Sequence, residues 1–190
     1  MIPVFVDMDG TLIKGSTSSL EIHSFLKKNG LFRLGFCIIK NQLFSRLKLK
    51  TWLSNQEFDQ VEYEFNQVIV KILEKLQGKG VELNLATASP LSSTKRVMNQ
   101  SPVVFQELIS SDEVTNLKGT KKLAAIKSSL RENNTFDFFY IGDSYVDLKI
   151  MKHSKSSLFV GGKIPFLFGK HIYRIPKLQN LKTFNLEMWA

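Results

Sequence analysis

Three segments of this chain are predominantly apolar, and each stops on an oxygen-bearing side chain. Residues 2–6 end at Asp7, residues 81–86 at Thr87, and residues 136–141 at Gly142 and Asp143. Runs of this kind suit strands buried on both faces of a parallel sheet better than strands with one wet face. Between them, residues 68–77, 91–99 and 119–131 place apolar side chains at helical spacing. Strands alternating with helices predict βαβ units and an α/β fold around a parallel sheet. Further strands are expected over 107–110, 156–161 and 171–175. Ligands of open parallel sheets bind beyond the carboxyl ends of the strands. The three polar ends are therefore expected to share one crevice.

The first of these ends reads VFVDMDGTLI. Asp-Gly between apolar residues also signals a tight β-hairpin. Two features oppose that reading: the run before Asp7 does not alternate, and the would-be return strand fades into Gly15 and Ser16. Asp7 and Asp9 stand two residues apart, so in an extended chain their side chains share a face. Neighbouring carboxylates repel unless a cation or a shared proton relieves them.

Residues 15–75 hold apolar residues at helical spacing and no convincing strand, which predicts a helical insertion into a core made of 1–14 and 76–176. Residues 177–190 are left as a C-terminal tail. The single cysteine, Cys37, excludes an internal disulfide and suits a reducing compartment. Met1 directly precedes the first run, so no cleavable leader is expected. The most apolar window, 31–44, is broken by Arg33 and Lys40 and falls short of a membrane span. These points predict a soluble, cytoplasmic protein.

The formal net charge of +9 is unevenly placed: residues 22–56 carry seven Lys/Arg and residues 148–186 eight, with no acid in either stretch. Such a field attracts phosphorylated metabolites, anionic lipid or nucleic acid. No nucleic-acid-binding motif accompanies it, and most of the aromatic residues fall where core packing explains them. The segment 31–50 also fits an amphipathic helix lying on an anionic membrane surface, or a cap helix packing on its neighbours.

The polar ends define a chemistry. Asp7 and Asp143 offer hard anionic oxygens, and the main-chain carbonyl of Asp9 can add another. Oxygen-only ligation suits Mg²⁺, and His23, His153 and His171 are too scattered to favour a softer metal. Asp7 is the expected nucleophile towards phosphorus, and Asp9 the expected general acid and base. Thr87 can donate to a phosphoryl oxygen; Ser89 competes for that role. A cation should complete the phosphate cradle. Lys118 is the first candidate, with Lys121 and Lys122 as alternatives. Asp147, one helical turn beyond Asp143, can steady that lysine or a metal-bound water.

"DMDGT", "ATAS", a lysine some thirty residues later and "GDSYVD" together resemble the four motifs of the haloacid dehalogenase (HAD) superfamily. The resemblance implies a three-layer Rossmann-like core with a C1-type cap over 15–75. It implies a Mg²⁺-dependent phosphatase acting through an aspartyl phosphate on a small phosphate ester. Asp7 would be nucleophile and metal ligand, Asp9 acid and base, Thr87 and Lys118 phosphate ligands, and Asp143 with Asp147 would serve the metal. A phosphotransferase using the same aspartate, or an accessory protein docking through its basic cap, are the alternatives. "TNLKG" after "LATAS", with the basic and apolar cap segment, is similar to the HAD-like domain fused to UbiA-type prenyltransferases.

Overall fold

A computed structural model describes residues 2–58, 61–161, 171–175 and 189. The elements run β1 (Val4–Val6), α1 (Thr17–Lys40), α2 (Arg46–Ser54), α3 (Gln67–Gly78), β2 (Leu83–Pro90), α4 (Leu91–Met98) and β3 (Glu107–Ser111). They continue as α5 (Thr120–Glu132), β4 (Phe139–Gly142), α6 (Leu148–Met151), β5 (Ser156–Val160) and β6 (Ile172–Ile175). All six strands are parallel and lie in the order β3-β2-β1-β4-β5-β6. Each of the six strands expected from the sequence is present.

The period of two along each strand splits the core into two layers. Val4, Val6, Leu83, Leu85, Phe139 and Ile141 face one side, where Ile69, Ile72, Leu73 and Leu76 of α3 and Val97 of α4 pack on them. Phe5, Ala86, Tyr140 and Phe159 face the other, against Leu123, Ile126 and Leu130 of α5 and Leu148 and Met151 of α6. Two-sided burial explains why these strands read as apolar runs. Each large side chain so buried contributes about 1.5–3 kcal/mol. Trp189 closes the first layer by stacking on Phe139 at a centroid distance of 4.7 Å. The rest of the tail, 177–188 and 190, lies outside the described residues.

The insertion carries α1 and α2, which share a small core of Phe25, Leu34 and Leu53, with Phe25 and Trp52 edge-to-face at 5.3 Å. Gly30 (φ 76°, ψ 165°) breaks α1 into two helices, 17–29 and 31–40. Only glycine adopts such backbone freely. The expected insertion boundary at residue 75 falls inside α3. That helix packs with the main core, so the separate helical layer ends before Gln67.

The two passages between core and insertion are tied together. Ile13 bridges Phe65 in antiparallel fashion, Asn66 N donates to Leu12 O at 2.8 Å, and Lys14 pairs with Glu64. Ile13 thus pairs with the returning chain and not with β1, which settles the hairpin question against a hairpin.

Candidate active site

The strand order reverses direction at β1: the chain moves outward through β2 and β3, then returns to β4 on the other side. A crevice opens at such a reversal. Val6 is in register with Leu85 and Ile141, so Asp7, Thr87 and Asp143 emerge close together at one edge of the sheet. Asp7, Asp9, Thr87, Lys118, Asp143 and Asp147 all line one cleft of about 460 Å³. The sequence expectation that these residues share a crevice therefore holds in the structure.

Asp7 sits at the bottom and is nearly buried. Lys122 Nζ donates to Asp7 Oδ1 at 2.7 Å and to Asp147 Oδ1 at 3.2 Å. Tyr140 OH lies 3.2 Å from Lys122 Nζ and donates to Asp147 Oδ1 at 2.8 Å. Ser144 donates to Asp147 Oδ2 through its amide at 3.2 Å and also through its hydroxyl. Both oxygens of Asp147 are thus occupied, and the residue acts as a brace for Lys122. Asp7 Oδ2 has no protein donor among the described residues.

Burial pushes the Asp7 carboxyl up from its ordinary value of 3.8 to about 7; Lys122 pulls it back and Asp147 adds to the rise. Burial likewise draws the Lys122 ammonium down, but the carboxylates of Asp7 and Asp147 outweigh it and leave the group raised. One ammonium is serving two carboxylates. Asp143, whose ligand atom lies within 4.8 Å of those of Asp7 and Asp147, completes an all-oxygen donor set of the kind that fits Mg²⁺.

Gly10 makes that grouping possible. Its φ is 79°, and a Cβ there would stand 2.2 Å from Asp143 Oδ2. The glycine of "DMDG" is required by this close approach and by the left-handed backbone.

Asp9 is held separately. Thr17 N donates to Asp9 Oδ1 at 2.8 Å and Ser89 Oγ to Asp9 Oδ2 at 2.7 Å, while the Thr17 and Ser89 hydroxyls lie 2.9 Å apart. Its carboxylate stands outside the acidic group, so only the expected main-chain carbonyl is left for a metal. Ser89, weighed against Thr87 as a phosphate ligand, is committed to Asp9. Thr87 lines the cleft, and its Oγ1 accepts from Ser89 N at 3.1 Å.

The three lysines weighed for the site fall in different places. Lys118 lies exposed at the cleft rim, whereas Lys122, only 4% exposed, makes the contact with Asp7. Gly119 (φ 53°) interrupts the backbone between them, so α5 begins only at Thr120. Lys122 was legible as the lysine one turn before Ile126, on the buried stripe that continues to Ser129 and Leu130.

The insertion closes the far side of the cleft. Arg46 and Lys50 of α2 line it, together with Gly15 and Ser16. Lys50 had not been singled out by sequence. Arg33 lines a separate cavity of about 380 Å³ beside Phe25 and Trp52. A half-buried clamp fixes the insertion on the core: Arg96 of α4 donates to Ser54 O at 2.8 Å and pairs with the buried Glu21 of α1 at 2.5 Å. The same guanidinium stands 5.2 Å from the ring centroid of Phe58.

The architecture is a three-layer α/β fold with an acidic crevice at the carboxyl edge of a parallel sheet. That is the fold of solved HAD-type hydrolases. A HAD family hydrolase from Salmonella enterica serovar Typhi matches with a TM-score of 0.62 at 12% identity, covering 92% of this chain and 68% of that one. CbbY from Rhodobacter sphaeroides, solved in complex with phosphate, matches at 0.62 and 17%, covering 90% and 93%. An archaeal β-phosphoglucomutase from Pyrococcus matches at 0.56 and 18%, covering 92% of each chain. No family model and no curated relative matches the chain. At these identities the likeness establishes the fold, and function must be argued from the site.

Proposed function

We propose that the protein is a Mg²⁺-dependent phosphomonoesterase in which the α1–α2 insertion serves as a C1-type cap. One observation carries the reading: Asp7, buried at the end of β1, is held by Lys122 on one oxygen while the other faces the cleft, with Asp143 and Asp147 beside it. Asp7 and Asp143, with the Asp9 carbonyl, would hold the metal. Bound there, Mg²⁺ would neutralise the phosphoryl oxygens and balance the buried carboxylates.

The chain's own residues then divide the work. Lys122 fixes Asp7 through Oδ1 and leaves Oδ2 to attack phosphorus. The new P–O bond forms as the bond to the leaving alkoxide breaks, and Asp9 delivers the proton that the alkoxide needs. Water then attacks the aspartyl phosphate with Asp9 as base, which releases phosphate and restores Asp7. No cation pairs with Asp9 among the described residues. Its partners are two hydroxyls and an amide, and the hydroxyls can each donate or accept. That environment serves a group which must carry a proton in one step and lose it in the next. Thr87 and Lys118, which line the same cleft, would meet the phosphoryl oxygens from its wall and rim.

The test is hydrolysis of p-nitrophenyl phosphate by wild type and Asp7→Asn, with and without Mg²⁺. Turnover that requires both is expected. Substantial turnover in Asp7→Asn would overturn the mechanism. Turnover that appears only with an added alcohol acceptor would move the reading to a phosphotransferase.

A second reading has its own observation. In the helix of residues 31–40, Leu34, Cys37 and Ile38 pack inward, while Phe32 (97% exposed), Phe36 and Ile39 remain in water. At about 100° per residue the two sets lie on opposite faces, and Arg33 and Lys40 share one flank. An apolar face flanked by cations, in a stretch without acids, complements an anionic bilayer. No helix of the described residues is long and apolar enough to cross one. Sedimentation with phosphatidylglycerol vesicles, lost in Phe32→Ser/Phe36→Ser, would support surface docking; equal sedimentation of both proteins would reject it.

A further inference from the structure

Three cations line the same cleft as Asp7. Lys118 stands on the core rim, and Arg46 and Lys50 on the insertion. Arg46 and Lys50 are four residues apart on α2 and so share one helix face. None of the three forms an ion pair among the described residues. Lys50 is partly buried, and burial lowers its ammonium; Asp9 and Glu21 pull it up, while Lys118 and its helix neighbour Arg46 push it down further. Like charges brought together at partial burial cost stability unless an anion joins them.

A phosphomonoester accounts for only part of this charge. The phosphoryl group at Asp7 has Lys118 and the metal site to neutralise it, which leaves Arg46 and Lys50 in surplus on the wall formed by the insertion. A cleft of about 460 Å³ is also larger than a phosphoryl group alone fills. We infer that Arg46 and Lys50 form a second anion subsite, and that the substrate is a compact phosphate ester bearing a second anionic group. A phosphate or a carboxylate at that position would satisfy the same side chains, Arg46 through its planar fork and Lys50 as a point charge.

This inference rests on the phosphate-ester reading, so its test is independent of turnover. The probes are three non-hydrolysable phosphonates: methylphosphonate with no second anion, phosphonoacetate with a carboxylate, and methylenediphosphonate with a second phosphonate. Each is titrated calorimetrically into wild type and Arg46→Ala/Lys50→Met in one magnesium buffer, so that chelation of the ion is common to both. Wild type is expected to bind at least one two-headed probe ten times or more tighter than methylphosphonate. In the double variant that ratio should fall to near one. The better of the two probes identifies the second group. Equal affinity for all three in wild type, or a preference that survives the double substitution, would overturn the subsite. Failure of the phosphatase reading would show separately, as absence of p-nitrophenyl phosphate hydrolysis.

Discussion

Lys122 Nζ lies between the carboxylates of Asp7 and Asp147, 2.7 Å from the one and 3.2 Å from the other, with the Tyr140 hydroxyl as a further partner. The ammonium holds together two acids that would otherwise repel in a nearly dry site. Removing it should therefore damage fold and function together. Lys122→Met leaves both carboxylates buried without a cation, and breaking a buried pair in this way costs about 3–5 kcal/mol. At roughly 2–4 °C per kcal/mol for a chain of this size, the melting temperature should drop by about 6 °C or more. Lys118→Met, at an exposed rim position, should leave the melting temperature in place and raise KM. Matching melting temperatures for the two variants would show that Lys122 is not the brace described here.

The raised carboxyl of Asp7 predicts a pH dependence with a definite sign. Its folded value, about 7, stands above the ordinary 3.8. Between those values the folded state binds the proton that the unfolded chain releases. Stability from Asp7 is thus present at low pH and lost as pH rises through the window. Asp7→Asn removes the effect, so its melting temperature should gain on that of wild type from pH 4 to pH 7.5 in the metal-free protein. Adding Mg²⁺ should stabilise wild type more at pH 7.5 than at pH 5, because the ion needs the charged carboxylate. A difference curve that is flat or falls with pH would contradict the buried, under-compensated Asp7.

Gly10 supplies a sharper probe of the acidic group. An alanine there needs left-handed backbone and a methyl carbon 2.2 Å from Asp143 Oδ2. The strain costs roughly 1–3 kcal/mol, and Asp143 must move to admit the methyl. Gly10→Ala should fold with a lowered melting temperature yet lose the stabilisation by Mg²⁺ seen in wild type. Mg²⁺ stabilisation equal to that of wild type would mean that Asp143 is not part of the cation site.

Much of this arrangement could be read from the sequence because burial on both faces of a strand leaves a plain apolar signature. Val4, Phe5 and Val6 face alternate layers, yet all are apolar, and the polar residue that follows marks the end of the strand. Lys122 was harder, since a lysine next to Lys121 reads as a solvated pair; only its phase with Ile126 and Leu130 sets it apart. The helix over 68–77 was legible, but the insertion's end at 75 fell inside it because Ile69, Ile72, Leu73 and Leu76 have the same period whether they face an insertion or a sheet. Lys50 and the Arg96–Glu21 clamp were out of reach, since their partners are fixed by tertiary packing over separations as long as 75 residues. Local periodicity carries no record of such pairs.

Thr17 and Ser89 hold Asp9 from two parts of the molecule, the first turn of α1 and the end of β2. Asp9 is therefore oriented by both the insertion and the core, and under the proposed mechanism the seating of the insertion would be coupled to proton transfer. General acid–base catalysis contributes about 10²–10⁴-fold, and misorienting the group without removing it should cost a part of that. Ser89→Ala and Thr17→Val should each lower kcat by about tenfold, with little change in the affinity for phosphate. Both proposed steps use Asp9, but p-nitrophenolate can leave without a proton, whereas water attacking the aspartyl phosphate still needs a base. Loss should therefore fall on hydrolysis of the aspartyl phosphate, and phosphorylated enzyme should build up, visible by rapid acid quench as an acid-stable, hydroxylamine-labile label. Thr17→Ser keeps the hydroxyl and the amide donor and should restore turnover. A fall in kcat with no accumulating phosphoenzyme and no rescue by Thr17→Ser would mean that these residues only support the fold.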